Sequence, residues 1–352
     1  MTRMGNNIKL QVTDMHTAGE PVRIVTGGYP KLKGSTILER RRDALENHDH
    51  LRALMMHEPR GHAEMYGVIP TPPCRPDAVM GVLFMHNSGY STMCGHATIA
   101  MGRYVVDQGI VEAEEGTTRF ILECPCGPVE VRVEVVNDRA GAVSFESVAS
   151  YLHEEDIPVE TSQSGIVRAD IAYGGAYYAL CTAEQLGLDI RNSSLQVLKT
   201  AAVDLTESLR GSYRMEHPAE PDLGFLYGTI ITESNRISPD SVNHHLCFFA
   251  EGQLDRSPTG SGVSARLAMA YAKGEMGIGD SACFAGISGD TFEGRLTRPG
   301  VLGDYKAVHT GVSGRAWYSG EATLIFEEGD PIVDGYLDPG VPGQIWDRNF
   351  SD

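Results

Sequence analysis

Cationic charge is scarce in this chain of 352 residues: 29 lysines and arginines stand against 47 aspartates and glutamates, a net charge of −18. A balance of that sign excludes nucleic acid and anionic membrane surfaces as partners, since both need a basic footprint. An anionic substrate then has to be held by a local cradle of donors against the overall field. Long apolar runs are missing as well. No stretch approaches the ~20 residues of a bilayer-spanning helix, and Met1 to Leu10 holds no apolar segment of the secretory kind. Seven cysteines, an odd number scattered along the chain, form no disulfide framework and suit a reducing compartment. The expectation is a cytoplasmic protein with no membrane segment. Gly286 to Gly294 has glycines but lacks the Lys-Ser/Thr of a phosphate loop. Cys124-Pro-Cys126 has no second ligand pair at a zinc-binding spacing and reads as packing. No metal and no cofactor are expected.

What is present is core-forming residue, 41% of the chain, enough for two domains of ordinary size. Alternating and apolar runs predict strands over Ile8–Asp14, Val22–Thr26, Tyr66–Ile69, Gly81–Asn87, Phe120–Cys124, Val129–Val136, Phe145–Val148, Ile166–Ala172, Tyr177–Cys181, Gly224–Thr232 and Leu246–Ala250. Helical patterns cover Ser35–Met56, His96–Val106, Leu188–Leu209 and Val263–Lys273. The polar stretch His153–Gly165 is the candidate boundary. It assigns residues 1–160 to a first α/β domain and 161–332 to a second, with a Gly/Pro-rich tail, 333–352, packing back on the first.

Two segments organise this pattern. Cys94-Gly95 opens a helix that is apolar on all sides and stops at Gly109; Thr259-Gly260 opens another that stops at Gly274. Aligning Cys94 with Thr259 also matches Gly95 to Gly260, Ala100 to Ala265 and Gly109 to Gly274. Helices apolar all round are buried. Two of them starting at one crevice aim their free N–H groups at a shared ligand, which suits a carboxylate. A carboxylate held there also eases loss of the proton on the adjacent carbon, because the developing charge is stabilised. At such a helix start the dipole is expected to lower a thiol pKa. The bland alternatives are a core cysteine at 94, a loop or N-cap aspartate at 255 and a plain cap at Ser261.

Five segments, Asp14-Met-His-Thr-Ala-Gly-Glu-Pro21, Glu58-Pro-Arg-Gly61, Met93-Cys-Gly-His96, Asp170-Ile-Ala-Tyr-Gly-Gly175 and Asp255-Arg-Ser-Pro-Thr-Gly-Ser-Gly262, together make the chain resemble the proline racemase family over nearly its whole length. The resemblance implies an α/β (α+β) fold of two pseudo-symmetric domains of the diaminopimelate-epimerase kind. Each holds a buried central helix wrapped by a mainly antiparallel sheet, and the site lies in the cleft between them. It implies cofactor-independent chemistry on a hydroxyproline-type imino acid, and a homodimer. By the same resemblance Cys94 takes the α-proton, and Gly95 and His96 contact the substrate. Asp255 holds the ring ammonium, Gly260 and Ser261 form the second N–H cradle, and Thr259 contacts the substrate or fills space.

Epimerising members carry a second cysteine where this chain has Thr259, and a hydroxyl cannot serve as a thiol does in moving a Cα proton. The threonine-bearing branch acts on trans-3-hydroxy-L-proline: the α-proton leaves, the β-hydroxyl is expelled, and the enamine tautomerises to 1-pyrroline-2-carboxylate. Resemblance to that branch implies a hydro-lyase. The alternatives are a 4-hydroxyproline epimerase or proline racemase, or a non-catalytic imino-acid-binding protein. In trans-3-hydroxy-L-proline the α-hydrogen and the hydroxyl share a ring face, so one base on that face suffices. The proton for the departing hydroxide could come from the Cys94 thiol, from His96 or from water. No role follows for His16, Glu20, His62 or His217.

Overall fold

The computed structural model describes residues 8–327 together with Gly329, Asp330 and Ile332. The expected packing of the tail 333–352 lies outside the described residues. Nine strands and three helices come first: β1 (Ile8–Thr17), β2 (Glu20–Gly27), α1 (Ile37–Asn47), α2 (Asp49–Met56), β3 (Tyr66–Thr71), β4 (Met80–His86), β5 (Gly89–Ser91), α3 (Gly95–Asp107), β6 (Gly116–Cys124), β7 (Gly127–Val136), β8 (Arg139–Glu146) and β9 (Ser150–Thr161). Nine strands and two helices follow: β10 (Gly165–Tyr173), β11 (Tyr177–Thr182), α4 (Leu195–Ser212), β12 (Leu226–Thr232), β13 (Val242–Phe249), β14 (Gln253–Asp255), α5 (Gly260–Ala272), β15 (Ser281–Ala285), β16 (Thr291–Leu302), β17 (Tyr305–Gly314) and β18 (Ala316–Phe326).

The pairing scheme repeats after nine strands. β2 and β3 run parallel with α1 and α2 between them, as β11 and β12 do around α4. β4 and β6 run parallel across α3, as β13 and β15 do across α5. The other pairings are antiparallel, as expected for a mainly antiparallel sheet. The ninth strand of each repeat crosses over: β9 pairs with β10 and packs on α5, while β18 pairs with β1 and packs on α3. The expected division at 160/161 falls at the end of β9, at the tip of its hairpin with β10. The polar segment proposed as the boundary, His153–Gly165, is mostly strand. It reads as polar because the middle of β9 lies open to solvent.

Helices α3 and α5 are the two central rods, and they end alike. The N–H groups of Ile110 and Glu275 reach the carbonyls of Val105 and Ala270, and Gly109 and Gly274 adopt positive φ, 64° and 71°. A glycine tolerates that conformation without steric cost. α3 buries Gly95 through Gly102 together with Val105 and Val106. α5 buries Arg266 along with its apolar residues, a departure from the all-apolar reading. Elsewhere the pattern shifts at caps. The helical segment from Ser35 breaks at His48, after a Thr36/Glu39 capping box starts α1. α4 begins at Leu195, not Leu188, because Asp189 ties up the backbone of Arg191 and Asn192 and Ser194 caps the helix.

Candidate active site

The N-termini of α3 and α5 abut. A Cβ added to Gly95 would lie 2.4 Å from the Gly260 Cα, and one on Gly260 would lie 2.7 Å from the Gly95 Cα. Only glycine at both positions lets the backbones come this close. Around this junction lies a cavity of about 10 Å³ lined by Tyr66, Met93, Cys94, Gly95, His96, Tyr178, Tyr227, Phe249, Asp255, Thr259, Gly260 and Ser261. All seven residues singled out from the sequence thus meet at one place. Larger hollows, of about 680 and 350 Å³, contain none of them. The cavity is about the size of one water, too small as it stands for a ring-sized ligand.

Cys94 is the N-cap of α3, with extended backbone (φ −146°), and its Sγ accepts the Ala97 N–H at 3.4 Å. His96 Nδ1 lies 3.1 Å from that sulfur and 3.9 Å from Asp255 Oδ2. Burial pushes the Cys94 thiol well above its ordinary range. The Asp255 and Glu20 carboxylates add to the rise, while the Ala97 N–H and the Tyr66 hydroxyl oppose it. This corrects the expectation that the helix start lowers the thiol pKa. One N–H contact and a partial dipole charge do not offset complete loss of water from a thiolate. Burial also holds His96 below its ordinary range, against the pull of Asp255 and the Pro21 carbonyl, so the ring is neutral at neutral pH.

The second helix start is built differently. Thr259 sits in the left-handed region, φ 53°, which is strained for a β-branched residue. Its side chain does not cap α5; Oγ1 donates to Asp255 Oδ2 at 2.8 Å. Asp255 Oδ1 accepts the Ser257 N–H at 2.8 Å, so both of its oxygens are held. The turn is braced from behind. Arg266 Nη1 donates to His245 Nδ1 at 3.0 Å, which fixes the proton on Nε2, and Nε2 donates to the Pro258 carbonyl at 2.7 Å. Ser261 Oγ bonds the Tyr178 hydroxyl at 2.8 Å. The pseudo-symmetric positions 94 and 259 therefore present a thiol on one side and a hydroxyl committed to a carboxylate on the other.

Several neighbours were not legible beforehand. Tyr66, Tyr178, Tyr227 and Phe249 lie in strands, where an aromatic residue reads as core. Glu20 lies in a quoted motif, and the structure gives it a setting. It is fully buried, with Oε2 accepting from Arg256 N (2.8 Å) and Nη1 (3.2 Å) and Oε1 unpartnered among the described residues. Burial, reinforced by Asp255, raises its pKa well above the carboxylate range. Cys247 faces Asp255 in register across β13 and β14, a second buried thiol near Thr259 that does not line the cavity. All seven cysteines are free thiols. Among the described residues no His, Cys, Asp or Glu side chains gather into a group that could hold a metal, and no helix is long and apolar enough to cross a membrane.

A buried thiol and a fixed carboxylate thus meet at two abutting helix starts of an α/β fold. The chain belongs to the proline racemase family, whose model, described as proline racemase, matches residues 12–337. It is 45% identical over 330 residues to the trans-L-3-hydroxyproline dehydratase of Xenopus tropicalis, covering 93% of this chain and 95% of that one. It is also 45% identical over 333 residues to the human trans-3-hydroxy-L-proline dehydratase, covering 93% and 94%. Among solved structures, a hydroxyproline epimerase from Agrobacterium vitis with bound trans-4-hydroxy-L-proline superposes with a TM-score of 0.87 at 26% identity, over 94% of each chain.

Proposed function

We propose that this protein is a trans-3-hydroxy-L-proline dehydratase, a hydro-lyase in which Cys94 is the base. The observation that carries the reading is the asymmetry of the two helix starts. One offers a thiol; the other offers Thr259, whose hydroxyl is taken by Asp255. Relatives bearing the dehydratase name at 45% identity over nearly the whole chain support the same reading. The substrate carboxylate sits on the free N–H groups of the two helix starts, at Gly95, His96, Gly260 and Ser261, where partial positive charge converges. The ring ammonium pairs with Asp255. That pairing matters for the base, because Asp255 is one of the causes that raise the thiol pKa. A cation placed against the carboxylate cancels that contribution, while the Ala97 N–H and the Tyr66 hydroxyl continue to favour the thiolate.

The Cα–H electron pair then forms the Cα–C3 double bond as the C3–O bond breaks, and the enamine rearranges to 1-pyrroline-2-carboxylate. Cys94 and the hydroxyl lie on one ring face, so the elimination is syn and no acid is needed on the Thr259 side. The test is incubation with trans-3-hydroxy-L-proline and trapping of the cyclic imine. Formation of the imine with no Cα-inverted epimer in recovered substrate supports the reading, whereas a D-configured product in place of imine sinks it. A homodimer and a cytoplasmic location belong to the same proposal, and light scattering on the purified protein tests the first.

A further inference from the structure

Three phenols line the cavity, and they differ in one respect. The Tyr66 hydroxyl is bonded to Ser91 Oγ and the Tyr178 hydroxyl to Ser261 Oγ. The Tyr227 hydroxyl is buried and makes no hydrogen bond of good geometry among the described residues, although the Tyr66 and Ser91 hydroxyls stand beside it. A buried, unsatisfied O–H is costly, and a protein that keeps one needs a reason. Its ring is clamped: stacked on Phe249 at 5.3 Å between centroids, and edge-on to His86 at 5.9 Å and to Tyr178 at 5.9 Å. The three phenols also divide by side. After burial, the group that most affects both Tyr66 and Tyr227 is Cys94, whereas for Tyr178 it is Cys247. Tyr66 and Tyr227 are thus the two cavity phenols near Cys94, and of these Tyr66 is already held by Ser91 whereas Tyr227 has no close hydrogen bond.

We infer that Tyr227 is the acid for the leaving group, donating a hydrogen bond to the substrate 3-hydroxyl and its proton to the departing hydroxide. This rests on the dehydratase reading and deepens it. In the step, the Cα–H bond breaks and its proton goes to the Cys94 thiolate. The electron pair forms Cα=C3 and the C3–O pair leaves with oxygen. That oxygen takes the Tyr227 proton and departs as water. The phenolate recovers its proton from the Cys94 thiol, so both groups return to their starting states, and substrate has become enamine plus water. Transfer from a phenol to hydroxide is downhill. Burial keeps the phenol un-ionised in the free enzyme, so it remains a donor.

The experiment is Tyr227→Phe, with wild type alongside, run to partial turnover on trans-3-hydroxy-L-proline in heavy water. Both imine formation and deuterium at Cα of the recovered substrate are measured. The expected result is a drop in dehydration of about 10²-fold or more, with deuterium still washing into Cα with retained configuration, because carbanion formation does not need the leaving-group acid. The thermal midpoint is expected to stay close to wild type, since the change removes a hydroxyl that makes no close hydrogen bond. Dehydration within threefold of wild type overturns the assignment. So does an equal loss of exchange and elimination in a folded variant, which would place Tyr227 before C–O cleavage. Wild type that forms no imine removes the dehydratase reading itself, a different failure from an active Tyr227→Phe enzyme.

Discussion

At residue scale the chemistry is divided between positions 94 and 259. Cys94→Ser is expected to keep the fold and lose turnover by about 10³-fold or more, because a serine hydroxyl is a far weaker base than a thiolate. Steady-state kinetics on a protein of unchanged circular dichroism checks this, and wild-type-like rates would remove Cys94 from the mechanism. The raised thiol pKa has two pH consequences. Iodoacetamide should inactivate slowly at neutral pH and faster as pH rises, and a bound substrate analogue should slow it; a rate flat from neutral to alkaline pH would contradict the burial argument. For stability, a thiol whose pKa is higher folded than unfolded keeps its proton in the native state after the unfolded chain has lost it. The term therefore lowers stability as pH rises above about 8.5. Burial raises Cys124, Cys181 and Cys247 in the same direction, so the alkaline loss is shared. Thr259→Cys should add a thiol on the opposite face and bring a gain of epimerised product. It also removes the hydroxyl that holds Asp255 Oδ2, so dehydration should fall at the same time. A folded variant with no trace of D-product would detach residue 259 from reaction type.

At element scale the site depends on two rods meeting end to end. Gly260→Ala puts a methyl 2.7 Å from the Gly95 Cα, against backbone that cannot move aside cheaply. The expected result is a loss of about 10²-fold in kcat/KM, since an error of an ångström at a reacting centre costs that much, with a much smaller effect on thermal stability if the helix ends simply stay apart. Near-normal kcat/KM would show that close abutment is not needed. The same rods explain which side chains had to be buried. Arg266 in α5 is a charge enclosed by protein. It is tolerated because its guanidinium donates to His245, whose other nitrogen is spent on the Pro258 carbonyl beside the strained Thr259 turn.

At the scale of the whole molecule, the nine-strand repeat exchanges its last strand. β9 completes the layer around α5 and β18 the layer around α3. Neither half has its full sheet when cut in sequence. Residues 1–161 expressed alone should therefore fail to fold, and the intact chain should unfold in one calorimetric transition whose van't Hoff and calorimetric enthalpies agree. Two separated transitions, or a soluble folded fragment 1–161, would contradict the exchange as a source of cooperativity.

The sequence by itself determined the two buried rods, their glycine starts and stops and most strands, and its resemblance to a known family singled out the seven residues that meet at the junction. These are local signals: apolar runs, turn glycines and a motif spacing that one stretch of chain carries whole. Only the tertiary structure decided the sign of the Cys94 shift, because burial depends on what closes over the thiol from β3, β12 and β13. It decided that Thr259 serves Asp255 and does not cap its helix, since a left-handed threonine has no sequence signature. It picked Tyr227 from three similar tyrosines, because the difference lies in whether a hydroxyl from a distant segment makes a close hydrogen bond to each one. And it moved β9 and β18 across the molecule, because strand exchange is a property of pairing between remote segments, which periodicity along one segment does not record.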